Sequence, residues 1–314
     1  MKKQLLCGIY ECKKSLLVQR GLLIVLAGIL LKLILCFVTE PDLYKVTYDT
    51  DLYKYYTEQY GGIYTEEKFA SVEAELQKQQ EIVDSFHPEE WLSSEEYRTA
   101  YNRVLVAGQK VPVLEAVKER LTTLKSLQVY EAELMYDTEL VSYCDKFGLD
   151  WVCLVCISLL TVGIVLGDYR CGMEQLLTPS KMGKRRIGRG KLWAVAVLAG
   201  LLAVLFYVLQ NCILFCRWDM GRIQAPIQSC TGFETCALEL SVMEGVILAG
   251  IMQVCATVVY ALLLSLISKT VKNEIVAIIA SVMLLVVDGL FLRESAVGFA
   301  SVTRWLEGLK GLCC

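Results

Sequence analysis

The chain has 314 residues, 55% of them hydrophobic, with a net charge of −3 and a mean hydropathy of +0.47. A soluble domain of this length sits near or below zero on that scale, so the composition points to a polytopic membrane protein. The 14 cysteines show no framework or zinc spacing, and the single histidine, His87, argues against a histidine-based metal site or triad.

Residues 1–20 form a basic amphipathic start. Ile9, Cys12, Leu16 and Leu17 recur at helical spacing, and Lys13, Lys14 and Arg20 mark the polar side. Two readings stand: a helix lying along the membrane surface, or a charged flank that orients the next segment. Residues 21–38 are the first expected span. Their apolar run is long for a signal peptide, and no small-x-small cleavage site precedes Glu40. Lys32 interrupts this run, either snorkelling to the interface or facing other helices.

Residues 39–148 are one large polar domain in which acids outnumber bases about two to one. The basic start and the absence of a basic cluster here place this domain outside the cell. It opens with Tyr44, Tyr48, Tyr53, Tyr55, Tyr56, Tyr60 and Tyr64, which serve either aromatic packing or ligand contact. Gly61-Gly62 reads as a turn. Phe69, Val72, Leu76, Val83 and Phe86 then form one helical stripe, and Leu114, Val117, Leu121, Leu124 and Leu127 another. His87-Pro88 and Val111-Pro112 are expected to separate helices, and Ser94 to start one. The expected domain is a small helical bundle or antiparallel hairpin.

Residues 149–167 are the second span. Its Cys153-x-x-Cys156 spacing is read as packing, because a redox pair needs an accessible thiolate. Residues 168–191 form a short loop rich in lysine and arginine, which belongs on the cytoplasmic side and fixes the orientation of the whole chain. Residues 192–292 hold three more spans, at 192–216, 241–267 and 275–292. The segment 217–240 is a short outer loop where a Cys230–Cys236 bridge is one option and free thiols the other. Residues 293–314 form an outer tail with Val297, Ala300, Trp305 and Leu309 on an interfacial helix.

Ionisable groups inside apolar runs commonly pair or line a polar route. Lys32 and Asp288 therefore pair across the first and fifth spans or snorkel separately, and Gln210, Asn211 and Gln253 are further intramembrane polar positions. No metalloprotease, nucleophile-elbow or calcium-loop pattern occurs. The run from Gly183 to Lys191 fails as a phosphate loop: Arg189 follows the second glycine, and no Ser or Thr comes after. The chain is therefore read as a non-enzyme that binds no cofactor and no nucleic acid itself.

The order of parts resembles the membrane subunit of an ABC exporter, of the type-2 permease superfamily. The loop carries the resemblance: Asp168, Gly172, Leu176-Leu177, Thr178-Pro179-Ser180, Lys184-Arg185-Arg186 and Gly190-Lys191. The resemblance implies an all-α polytopic membrane protein with about five transmembrane helices and a helical extracytoplasmic domain between the first two. It also implies that Asp168, Gly172, Met173, Glu174, Leu176, Leu177 and Pro179 form a coupling helix docking on a separate ATPase. ATP and Mg would be bound by that partner, and a second permease subunit, identical or not, would complete the transport path in the cell membrane. Residues 1–20 resemble the family's connecting helix. The family has six spans where this chain has five, which implies a truncated sequence or a partner that completes the fold. The alternative to transport is an extracytoplasmic sensor or scaffold anchored in the membrane.

Overall fold

The computed structural model describes residues 2–18, 20–41, 48–86, 94–127, 130–170, 181–287, 302–307 and 309–310. The molecule is an all-α membrane protein that, among the described residues, has four helices long and apolar enough to cross a bilayer. The chain divides into two compact units, a membrane unit (Met1–Glu40, Lys146–Arg217 and Val246–Leu312) and a polar unit containing Pro41–Asp145 and Trp218–Gly245.

In the membrane unit, α1 (Lys2–Lys13) runs into a π-helical turn (Lys14–Val18) and then into α2 (Gly21–Val38). The second crossing helix, α7, covers Trp151–Arg170, and the third, α8, covers Lys181–Arg217. The basic residues 181–191 are thus the first turns of a continuous helix rather than part of a loop, and residues 171–180 lie outside the described residues. The fourth crossing helix, α9 (Val242–Val271), opens with a reciprocal cap. Ser241 Oγ accepts from the Glu244 backbone N–H at 3.3 Å, and the Glu244 carboxylate accepts from the Ser241 N–H at 2.9 Å. Lys272 in the left-handed region and the Asn273 side chain, accepting from the Ile275 and Val276 N–H groups, turn the chain into α10 (Glu274–Val287). The expected fifth span corresponds to this apolar 14-residue helix, and residues 288–292 lie outside the described residues. The tail contributes α11 (Val302–Leu306).

These helices bury Val25, Cys156, Ile157, Leu160, Leu202 and Phe206 in a common core. The opposite faces carry exposed Leu22, Leu23, Leu26, Leu30 and Leu201, as suits helices bathed in lipid. Small residues set the closest approaches. A Cβ on Gly28 would strike Cys156 Sγ and lie 3.1 Å from the Phe206 ring, and one on Gly250 would lie 2.5 Å from Tyr207. Tyr260 links three helices by its hydroxyl, 2.7 Å from Ser158 Oγ and 3.3 Å from Ser281 Oγ.

The polar unit contains α3 (Thr50–Gln59), α4 (Glu66–Asp84), α5 (Ser94–Ser126) and α6, which starts at Thr138 and ends at Phe147 in the membrane unit. Asp49 caps α3 and Thr65 caps α4 through side-chain oxygens. A two-residue antiparallel pair joins β1 (Gly62–Ile63) to β2 (Glu133–Leu134), with Gly62 opposite Leu134. Tyr53, Tyr56 and Tyr64 are buried with Val72, Val113, Leu114, Val117, Leu121 and Leu124, so the tyrosine-rich opening forms part of the core.

Val111-Pro112 does not separate two helices. Pro112 lies inside α5, whose 33 residues extend about 50 Å. A proline there forfeits one backbone bond and costs about 3 kcal/mol. The next three turns bury Val113, Leu114, Val117, Leu121 and Leu124 completely, and each such side chain contributes about 1.5–3 kcal/mol. Gly108, whose carbonyl loses its partner, is exposed, so water can replace the missing donor.

The segment after α8 belongs to the polar unit rather than forming an independent loop. Arg120, 8% exposed, bonds Glu234 at 2.5 Å and the Ser229 carbonyl at 2.7 Å, while Asp137 accepts from the Thr231 N–H at 2.5 Å. Lys54 meets Asp219 at 2.5 Å, and that hydrogen bond holds the Asp219 pKa below the usual carboxylate value. Cys230 is a free, buried thiol, so the Cys230–Cys236 bridge is absent; Cys236 is disulfide-bonded otherwise.

Candidate functional site

Two charged clusters lie in the membrane unit, one at each end of α7. At its start stands Asp150, one residue before the helix. Its Oδ1 accepts from the Cys153 N–H at 3.0 Å, the bond of an N-cap. Its Oδ2 takes Lys32 Nζ at 2.9 Å, and both side chains are almost fully buried. Lys32 also donates to Gln210 Oε1 and stands 5.7 Å from the centre of the Phe147 ring. The carboxamide of Gln210 is oriented by this arrangement, because its Nε2 donates to the Phe147 carbonyl at 3.3 Å. Lys32 therefore ties the first, second and third crossing helices together.

Beside this pair is a cavity of about 10 Å³ lined by Asp150, Cys153, Tyr207, Gln253 and Thr257, room for one water at most. Gln253 thus lies within the helix bundle as a buried polar residue. Asp288, the expected partner of Lys32, lies outside the described residues, and Asp150 takes the lysine instead. Cys153 and Cys156 are free and buried in this bundle.

The second cluster is centred on Asp168, near the end of α7 and 7% exposed. Oδ1 accepts from Lys14 Nζ at 2.6 Å, and Oδ2 accepts from Lys191 Nζ at 2.7 Å. Lys191 also donates to the Val165 carbonyl at 3.1 Å, which fixes it against α7. Glu11 is near enough to feel both lysines. Burial pushes its pKa up, and the attraction of Lys14 and Lys191 opposes that. Burial of Lys14 disfavours its charge, but the Asp168 hydrogen bond and charge outweigh this and raise its pKa above the usual 10.5.

The same end of the unit is packed by α1 against α8. Cys12 Sγ lies 3.7 Å from the Ala194 carbonyl, and Gly8 is close to Gly190, Trp193 and Ala194. The amphipathic start is thus a docked helix with Ile9 and Leu17 left exposed.

Of the expected coupling residues, Asp168 is described and makes both bonds above. Gly172, Met173, Glu174, Leu176, Leu177 and Pro179 lie outside the described residues. Sequence reasoning missed Asp150, Lys14 and Lys191 as partners. A signal for Asp150 existed, since an acid directly before an apolar helical run is a capping residue. Lys14 and Lys191 looked like ordinary members of basic flanks, and only the tertiary structure brings them to one carboxylate. No family model, no curated protein and no solved structure matches this chain.

Proposed function

We propose that this chain is the membrane subunit of an ATP-driven exporter, working with a separate ATPase and a second membrane subunit, identical or different. The observation that carries the reading is the clasp at Asp168. The segment 169–190, the proposed docking site for the ATPase, is bounded by Asp168 and Lys191, which bond each other at 2.7 Å. The same carboxylate holds Lys14 of the amphipathic start at 2.6 Å. A push on this segment therefore reaches the N-terminal helix and the second and third crossing helices through one group. Contacts that differ between two states allow a remote site to drive such a movement.

In this reading the chain does no chemistry. ATP and Mg are bound by the partner, and Gly172, Met173, Glu174, Leu176, Leu177 and Pro179 make the docking surface. The basic segment lies in the cytoplasm and the polar unit outside the cell membrane. The disulfide at Cys236 agrees with an oxidising compartment for that unit.

The test is capture of the full chain from its native membrane in mild detergent, followed by assay of ATP hydrolysis in the captured material. Leu176→Glu or Leu177→Glu is expected to remove the activity while leaving the chain folded. If the intact, folded chain captures no ATPase, the reading fails. A second reading, a membrane-anchored extracytoplasmic sensor or scaffold without transport, is favoured by a ligand-sized cleft in the polar unit and predicts that negative result.

A further inference from the structure

We propose that the cleft between α4 and α5 binds a single-chain amphipathic anion, an apolar tail ending in a carboxylate. The cleft has a volume of about 770 Å³, within the range of small-ligand sites. Ile82, Phe86 and Val106 line it with apolar surface, and Lys78, Arg103 and Lys110 bring three cations to it. Among the described residues no aspartate or glutamate lines it, although α4 alone carries Glu66, Glu67, Glu73, Glu75, Glu81 and Asp84. Glu75 of the same helix does touch the lining, accepting from Gln79 Nε2 at 2.7 Å and standing 3.8 Å from Lys78 Nζ, so the unpartnered charge rests on Arg103 and Lys110.

The bases differ in another way. Further along α5, each of three bases meets a carboxylate: Lys118 with Glu73 at 2.7 Å, Arg120 with Glu234 at 2.5 Å, and Lys125 with Glu66 at 2.8 Å. Arg103 and Lys110 make no ion pair or hydrogen bond within the described molecule. Seven residues apart, they fall on one face of α5, about 10 Å apart along its axis, with Val106 between them. An anion placed on that face gains two cations that have no competing internal partner.

The apolar half of the ligand is argued from the surface beside the cleft. Phe86 packs at 6.0 Å from Tyr97 and 6.3 Å from Tyr101, and the two tyrosine rings stack at 6.1 Å. Tyr97, Tyr101, Leu105 and Val106 are each 40–48% exposed, a run of apolar surface along the first turns of α5. The walls are helices that, apart from the Gly108 carbonyl, satisfy their backbone bonds internally, so an extended peptide finds no strand edge to pair with. A tail that needs only apolar contact and a head that needs only cations fits what the cleft offers.

The experiment uses the full chain in nanodiscs of neutral phosphatidylcholine and follows hydrogen exchange in peptides covering 78–86 and 97–110. Dodecanoate is expected to protect both, whereas dodecylamine and dodecanol at the same concentration are not. The Arg103→Glu, Lys110→Glu double variant, altered only at surface positions, is expected to bind dodecanoate at least about tenfold more weakly. Lys125→Glu, outside the cleft, should leave binding unchanged. Equal protection by the amine, undiminished binding by the double variant, or protection by an acidic peptide but not by dodecanoate would each overturn the proposal. The test needs no ATPase, so its outcome is separate from that of the transport reading.

Discussion

The second crossing helix is tied to its neighbours by charge at both of its ends, and the two joints are built differently. At Lys32 one cation meets one carboxylate and one amide, and both charged side chains are under 10% exposed. At Asp168 one carboxylate serves two lysines, and one of them, Lys14, keeps 23% of its side chain exposed. The first joint is a sealed weld, because removing either charge strands the other in a medium that cannot solvate it. The second is a latch, because a released Lys14 can turn to water, and Lys191 retains the Val165 carbonyl. A protein that must hold one end of a bundle fixed and move the other would distribute its charges in this way.

The largest effect expected is from breaking the weld. Lys32→Met leaves Asp150 buried without its counter-ion, and should cost about 3–5 kcal/mol. Thermal unfolding in detergent, read by tryptophan fluorescence, measures it. Adding Asp150→Leu should return most of that loss. If the double variant is as unstable as the single one, the lysine acts through packing rather than charge.

Breaking the latch should cost less in stability and more in local order. Asp168→Asn weakens two charge-assisted bonds, an effect of about 1.5–3 kcal/mol. It should free α1 from α8, and labelling of Cys12 by maleimide, resolved by peptide mass spectrometry, should accelerate several-fold. Unchanged Cys12 reactivity would mean that the Gly8 and Cys12 contacts hold α1 without the latch.

About one turn before Lys32, the first span is held by close packing. Gly28→Ala forces a methyl group into Cys156 and Phe206, and should cost about 1–3 kcal/mol. A neutral result would show that α2 can shift there to make room for the methyl group.

The smallest effect expected is that of pH on the latch. Because the Lys14 pKa is raised above 10.5, its contribution is fully present below that value and is lost as pH rises through the raised one. The stability difference between the native chain and Asp168→Asn should therefore stay flat from about pH 7 to pH 10 and shrink only above that. A difference that falls between neutral pH and pH 9 would mean that another group controls the latch.

Much of the architecture is legible in the residues themselves. The apolar run from Gly21 to Val38 coincides with α2, since unbroken hydrophobicity of that length has one stable form in a bilayer. The seam Leu114, Val117, Leu121 and Leu124 is fully buried, as its three- and four-residue spacing requires. Pro112 misleads because local chemistry opposes the helix while distant side chains support it, and a sequence window sees only the first. The segment 218–245 misleads similarly. Its polar composition reads as a loop, and its attachment depends on Arg120, more than a hundred residues away in the chain.

The candidate site divides along the same line. Lys32, Gln210 and Gln253 stand out because a polar group in an apolar run is visible without a structure. Their partners do not, because an aspartate beside a helix start or a lysine in a basic flank is ordinary until another helix brings its counter-ion alongside. Hydrophobicity acts over short windows and along the chain, so the sequence by itself determined the membrane class, four crossing segments and the buried seam. Charge pairing is decided over about 3 Å by groups from separate helices. Only the tertiary structure decided that Lys32 meets Asp150, and that Lys14 and Lys191 share Asp168.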